Sequence, residues 1–192
     1  MSAFDSFHDD KPARADARRN HAHLLAVARR LFAEQGVANV PMAAIAEQAQ
    51  VGKGTLYRHF ADKAALCLAL LDEDMRALQA NTFQLLGQNL SASAKLLGFC
   101  ELVYDYVDAH EDYLCSVAQQ SDGRFLQDPA HLWWWQTVYG LLRQLPMAED
   151  RARALATAIY VLLDVQTLRF QRAQFGHDRQ AIMAQIRALV GE

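Results

Sequence analysis

The stretch Val40–Lys63, VPMAAIAEQAQVGKGTLYRHFADK, decides how the rest of the chain is read. Its spacing predicts two short helices joined by a tight turn. In the second, about Gly52 to Phe60, Leu56 and Phe60 lie four apart and share a face. They drop toward a core with Val51 and Ile45. Lys53, Thr55, Tyr57, Arg58 and His59 are left facing solvent or placed obliquely. All five donate hydrogen bonds, so together they suit anionic oxygens or base edges. Gly54 leaves the backbone bare beside them. Glycine is a poor helix former, so contact with a partner explains it better than helix stability. A solvated basic face on an ordinary amphipathic helix is the plainer alternative.

The preceding helix, Met42 to Ala49, is short and alanine-rich, with Ile45, Ala46 and Ala49 as a small apolar stripe. Gln50-Val51-Gly52 then turns the chain, as a helix-turn-helix requires. The run AIAEQAQVGKGTLYRHFADKAAL resembles the DNA-binding signature of the tetracycline-repressor (TetR) family of bacterial transcription regulators. The likeness reaches back through LLAVARRLFAEQGVANV and covers about one third of the 192 residues. It ends in Leu-Tyr-x-x-Phe-x-x-Lys, many fixed positions rather than one loose motif.

That resemblance implies a recognition helix in the major groove. Lys53 and Gly54 match positions near base edges, and Thr55 a position used for base or phosphate contact. Tyr57 and His59 match phosphate-binding positions. Lys63 matches a lysine that meets a phosphate at the start of the next helix. Arg58 falls at a variable position, where a guanidinium suits guanine or a phosphate. Two departures stand out. Pro41-Met42 replaces the usual capping hydroxyl, and Gln50 replaces the usual turn glycine, which places a non-glycine residue near the left-handed region.

Composition agrees with an all-α chain: only four prolines and nine glycines punctuate it. The formal charge of −3 argues at first against nucleic acid, but its distribution does not. Lys11–Lys63 carries +5 and Ala64–Glu192 carries −5. A basic end on an acidic body fits a DNA reader whose remainder has another task. Cys67, Cys100 and Cys115 show no metal-type spacing and read as small buried hydrophobes; a redox pair of Cys100 with Cys115 is the sharper alternative. With neither a leader-like segment nor a long apolar span, the expected setting is the cytoplasm.

Along the chain, residues 1–16 read as a flexible arm. Arg14, and Arg18 and Arg19 at the start of the helix after it, are within reach of the minor groove or backbone, and a plain disordered tail is the favoured alternative for Arg14. Residues 17–61 form the three-helix reading domain. Its first helix, Ala17 to Gln35, buries Leu24, Val27, Ala28, Leu31 and Phe32, and Gly36 ends it. Residues 62–192 form a helical effector-binding and dimerisation domain, for about nine helices in all. Asp62 caps a helix running to about Leu85, joined to the reading domain without a linker. Ser121-Asp122-Gly123 breaks the chain, and Asp128-Pro129 opens the helix that carries Trp133, Trp134, Trp135 and Tyr139. Successive residues turn by about 100°, so the three tryptophans cannot share a face, and at least one is expected to point outward or to a partner or ligand.

Ala152 to Phe175 reads as one helix, apolar nearly all round at Leu155, Ile159, Tyr160, Val161, Leu162 and Leu163, with Arg179 to Val190 after it. A helix apolar on every side is covered on every side. The resemblance implies a homodimer through residues about 150–190 that reads a palindromic operator, with a small molecule bound in the second domain to release it. Dense aromatics point to a largely hydrophobic or aromatic effector. Phe99, Tyr104, His110, Gln119, His131, Trp134, Trp135 and Asp164 are its candidate contacts. Asp164 stands out as a carboxylate inside an apolar helix, needing a partner if buried. No nucleophile, phosphate loop or metal set is legible. His21 and His23 face different sides of a helix, so no enzyme activity, metal or cofactor is expected. A helical cofactor- or ligand-binding protein without DNA-binding activity is the competing reading.

Overall fold

The computed structural model describes residues 11–120 and 129–191. Among these the chain forms ten α-helices and one short 3-10 turn, with no strand. It divides into two compact units, Met1–Leu70 and Leu71–Glu192.

In the first unit, α1 spans Lys11–Gln35. It begins earlier than the sequence suggests, so Lys11–Asp16 extend the helix instead of a loose arm; Met1–Asp10 lie outside the described residues. Leu24, Val27, Ala28, Leu31 and Phe32 are buried at the predicted helical spacing. Gly36, at φ 79°, stops the helix in a region that penalises a side chain. A 3-10 turn, Val37–Asn39, follows, and the Asn39 Nδ2 donates to the Gln35 carbonyl at 2.8 Å.

α2 spans Met42–Gln48 and α3 spans Lys53–His59. Pro41 takes the N-cap of α2 and supplies no capping hydrogen bond, as expected where a hydroxyl residue is missing. Between the helices Gln50 sits at φ 55°, the positive-φ non-glycine residue of the described chain. Ile45, Ala46, Leu56 and Phe60 close the core against α1.

α4, Lys63–Leu86, crosses the division between the units at Leu70. Its start is fixed by Asp62, whose Oδ1 accepts from the Ala65 amide at 2.8 Å. Arg29 of α1 donates to the Leu70 carbonyl at 3.3 Å, which ties α4 to the first unit.

The second unit continues with α5, Ala92–Ala109, capped by Ser91; α6, Glu111–Gln120; α7, Pro129–Leu142; α8, Glu149–Leu162; α9, Val165–Phe175; and α10, Arg179–Val190. The sequence breaks at 121–123 and at Asp128 lie outside the described residues. α5 is central: Leu96, Phe99, Cys100, Val103, Tyr104 and Val107 are buried, and α7, α10 and α6 pack on it. α7 and α8 pack along each other. Arg172 reaches Glu111 and Asp108, both at 2.7–2.8 Å, and Arg179 reaches Asp105 at 2.8 Å. These ion pairs fasten α9 and α10 to α5 and α6, although such partly exposed pairs each add little stability.

One expectation needs correction. Ala152 to Phe175 is two helices, not one: α8 stops at Leu162 and Asp164 begins α9 as its N-cap. The Asp164 Oδ1 accepts from the amides of Gln166 at 2.9 Å and Thr167 at 3.3 Å. The carboxylate that looked misplaced inside an apolar helix is therefore the group that starts a new one.

Candidate nucleic-acid interface and effector cavity

α3 is built from two opposed sets of side chains. Leu56 is fully buried and Phe60, just after the helix, nearly so. Lys53, Gly54, Tyr57 and Arg58 are exposed, and Tyr57 keeps 51% of its surface in solvent although it is a large ring. Thr55 is half-buried at the edge of the same face. A Cβ placed on Gly54 would meet nothing within 4 Å, so the packing of this chain does not require a glycine there. The helix thus holds an ammonium, a guanidinium, a phenol and bare backbone in the open on an apolar footing. That combination can donate to phosphate oxygens and to base edges at once.

Two further predicted contacts are turned partly inward. Lys63 is half-buried, and its Nζ donates to the carbonyl oxygens of Val37 at 2.8 Å and Ala38 at 3.4 Å. One of its three protons remains for another acceptor. His59 lies 5.8 Å, ring to ring, from His21 of α1, and His21 lies 4.9 Å from the Phe60 ring. The His59 Nε2 is buried without a hydrogen-bond partner. Burial holds its pKa below the ordinary value, and the His21 and Arg58 charges push the same way. Sequence reasoning treated His21 only as a poor metal ligand and missed this contact. The signal was present: His21 is three residues before Leu24 and shares its side of the helix. His23 takes another direction, its Nε2 lying 3.2 Å from the Ala49 carbonyl.

In the second unit a small apolar-walled cavity is lined by Val107, Leu114, His131, Trp134, Tyr160, Asp164 and Val165. It draws one or two side chains from each of α5, α6, α7, α8 and the start of α9. Of the candidate effector contacts, it brings together His131, Trp134 and Asp164. Tyr160 and His131 share a 2.6 Å hydrogen bond across α8 and α7. Burial, and then the Asp164 charge, raise the Tyr160 pKa. Trp134 is 7% exposed, and its Nε1 is buried with no acceptor among the described residues.

The other candidates lie elsewhere. Phe99 is fully buried and meets Trp133 edge-on at 5.8 Å. Tyr104 is buried beneath the Arg172 guanidinium, 5.5 Å from its ring centre. His110 is held between the Tyr106 carbonyl at 2.7 Å and Asp74 of α4 at 3.0 Å. Gln119 is exposed. Trp135 donates to Thr157 of α8 at 3.1 Å and stacks on Tyr139. None of these is cavity-lining. The three tryptophans take different directions and none is exposed: Trp134 lines the cavity, Trp133 meets Phe99 and Trp135 stacks on Tyr139, while Leu132 is the outward apolar residue of α7. Sequence reasoning missed Val107, Leu114 and Val165, which look like ordinary core residues in any pattern.

Cys67, Cys100 and Cys115 are buried, as small hydrophobes would be, and form no disulfide with one another. Burial pushes the Cys100 thiol up to about 12, far from a reactive thiolate. Among the described residues no group of three or more His, Cys, Asp or Glu side chains is placed to hold a metal. Among the described residues no helix is long and apolar enough to cross a membrane.

The profile described as "Bacterial regulatory proteins, tetR family" matches residues 24–70, which hold all of α2 and α3 and the support they stand on. In this domain the chain is similar to the tetR family. An HTH-type transcriptional regulator of Staphylococcus aureus (strain USA300) is 44% identical over 62 residues. That match spans 32% of this chain and 34% of the relative, so the chain covers about a third of the curated relatives it resembles. Solved structures extend the likeness of fold over nearly the whole chain. A tetR-family transcriptional regulator from Pectobacterium atrosepticum is 22% identical, with TM-score 0.63 and 93% of each chain covered. The Thermus thermophilus repressor FadR, solved with lauroyl-CoA, is 18% identical with TM-score 0.67, covering 90% of this chain and 93% of that one. At such identities the second unit shares its fold with tetR-family proteins, and the likeness carries no ligand across.

Proposed function

We propose that this protein is a transcription regulator that binds palindromic duplex DNA as a homodimer and is released by a small, largely apolar effector. The observation that carries the reading is α3, where Lys53, Tyr57 and Arg58 stand exposed around the bare backbone of Gly54 while Leu56 and Phe60 anchor the helix from behind. Exposed cations positioned on a rigid element suit phosphates and guanine edges. Lys53 and Arg58 read bases, Gly54 allows close approach, and Thr55 and Tyr57 hold the backbone. His59 and Lys63 hold the domain together and contribute at most one proton each to the phosphates.

Homodimerisation draws support from apolar surface on the last helices. Val161 of α8 is 50% exposed, and Phe170 and Phe175 of α9 are 57% and 60% exposed. The rings of Phe170 and Phe175 meet at 5.5 Å, forming a contiguous patch of the kind that marks an interface. α10 has a different disposition, since Ile182, Met183 and Ile186 are buried within their own chain. The pairing surface therefore belongs to α8 and α9. A two-fold dimer presents two reading helices to half-sites one helical turn apart, roughly 34–36 Å. Repression and a cytoplasmic setting follow from the same reading.

The test is selection of duplexes from a random library by the purified protein, followed by titration at several salt concentrations. A palindromic consensus with steeply salt-dependent affinity supports the proposal. Absence of any duplex preference, with a coloured or otherwise cofactor-loaded protein, would favour a helical carrier instead.

A further inference from the structure

We infer that the cavity of the second unit takes an uncharged ligand with an apolar body and a single acceptor oxygen, which accepts the Trp134 indole N–H. The inference deepens the effector-binding reading above and rests on it.

The polar groups around the cavity are few, and most are already engaged. His131 and Tyr160 are bonded to each other at 2.6 Å. The Asp164 Oδ1 caps α9 through two amides. Trp134 remains: a cavity-lining ring, nearly fully buried, whose Nε1 has no acceptor among the described residues. A buried donor left unmade costs free energy, so native structures retain one only where something else satisfies it.

A lone water is a poor answer. A buried water makes about three hydrogen bonds, whereas Val107, Leu114 and Val165 supply apolar wall, the His131 Nδ1 and Tyr160 hydroxyl bond each other, and the Asp164 Oδ1 is held by two amides. The charge of the site narrows the ligand further. No Lys or Arg is cavity-lining among the described residues, and the Asp164 carboxylate is there, so a carboxylate or phosphate ligand meets repulsion with nothing to offset it. A protonated amine is no better matched, because the group demanding a partner is a donor. A ketone, lactone, ester or ether oxygen on a hydrocarbon frame satisfies the indole and leaves the remaining walls their apolar contacts. The cavity is small as it stands, so binding is expected to open it by shifting the α7–α8 side held by His131 and Tyr160.

The experiment uses the full chain with 15N-indole labelling and four ring probes of similar size: cyclohexanone, methylenecyclohexane, cyclohexylammonium and cyclohexanecarboxylate. Trp133→Phe, Trp134→Phe and Trp135→Phe assign the indole resonances. Duplex binding is followed in the same samples. Cyclohexanone is expected to shift the Trp134 resonance saturably and to bind roughly five- to tenfold more tightly than methylenecyclohexane, with that margin lost in Trp134→Phe. The wild-type resonance reports even if a variant fails to fold.

Equal or tighter binding of either charged probe, or of the hydrocarbon, overturns the inference. So does an indole resonance unmoved by every probe, including the case in which it shows contact with a bound water only. Intact salt-dependent duplex binding beside such a failure leaves the regulator reading standing. Ketone binding at Trp134 in a protein that ignores DNA has the opposite meaning.

Discussion

Lys63 Nζ lies 2.8 Å from the carbonyl oxygen of Val37, so the ammonium that opens α4 also fastens it to the 3-10 turn after α1. A charge-assisted bond to a half-buried lysine ties two segments of the reading domain that are far apart in sequence. The family resemblance alone assigns this lysine to a phosphate. The structure gives it a first obligation inside the protein.

Lys63→Met is accordingly expected to destabilise the first unit by about 1–2 kcal/mol, the range for a hydrogen bond to a charged group after a discount for partial exposure. Urea unfolding followed by amide exchange in α1 and α2 measures it. Lys53→Ala is expected to leave stability within about 0.5 kcal/mol and to lower the salt slope of duplex binding by about 0.9 if it meets a phosphate, or to relax base preference if it meets a base. If the two variants exchange these behaviours, the assignment of roles is wrong.

The reading domain is expected to lose stability in mild acid through His59. Burial, with His21 and Arg58 nearby, depresses its folded-state pKa below the unfolded value of about 6.5. The unfolded chain therefore binds the proton more readily. The stabilisation is whole above pH of roughly 7, and it is lost as pH falls through the unfolded value toward the depressed one. His59→Gln should flatten that acid limb in a series of unfolding curves between about pH 7.5 and 5. An unchanged limb would remove His59 as its cause.

Gln50 at φ 55° holds a left-handed turn without being glycine. The strain of about 1–2 kcal/mol exceeds the extra chain entropy that glycine loses on folding, about 0.5–1 kcal/mol. Gln50→Gly should therefore stabilise the unit by roughly 0.5–1 kcal/mol in chemical unfolding, with duplex affinity retained. A destabilised variant would show that the Gln50 side chain has a role of its own.

Asp164→Ala is expected to cost about 1 kcal/mol, the usual value of an N-cap, whereas Asp164→Asn keeps the capping acceptor and stays close to the parent. Equal losses in both would place the importance of Asp164 in its charge instead.

These contrasts show what a sequence makes legible. The helix-turn-helix could be read because each of its features is local: Leu56 and Phe60 four apart, the turn at Gln50, the cap at Asp62. The all-α character was equally plain, from periodicity and the scarcity of breakers. The break between α8 and α9 was not, because Asp164 is surrounded by helix formers and its capping role depends on the chain already having turned. The cavity was half legible. His131, Trp134 and Asp164 are unusual residue types in apolar surroundings and attracted notice, but Val107, Leu114 and Val165 are indistinguishable from core until helices distant in sequence converge. The His21–His59 contact failed for a related reason: each residue was read on its own helix, and the meeting of the two depends on how α3 crosses α1.

The most direct test of the central claim is the affinity of the purified protein for its selected duplex as a function of salt, wild type against Lys53→Ala, Tyr57→Phe and Arg58→Ala. The account predicts a steep salt dependence in the wild type. It predicts uniformly weaker binding for Tyr57→Phe, and altered base preference at one or two positions of each half-site for the Lys53 and Arg58 variants. Duplex binding that all three substitutions leave unchanged would contradict it, because the exposed face of α3 would then not be the surface that reads DNA.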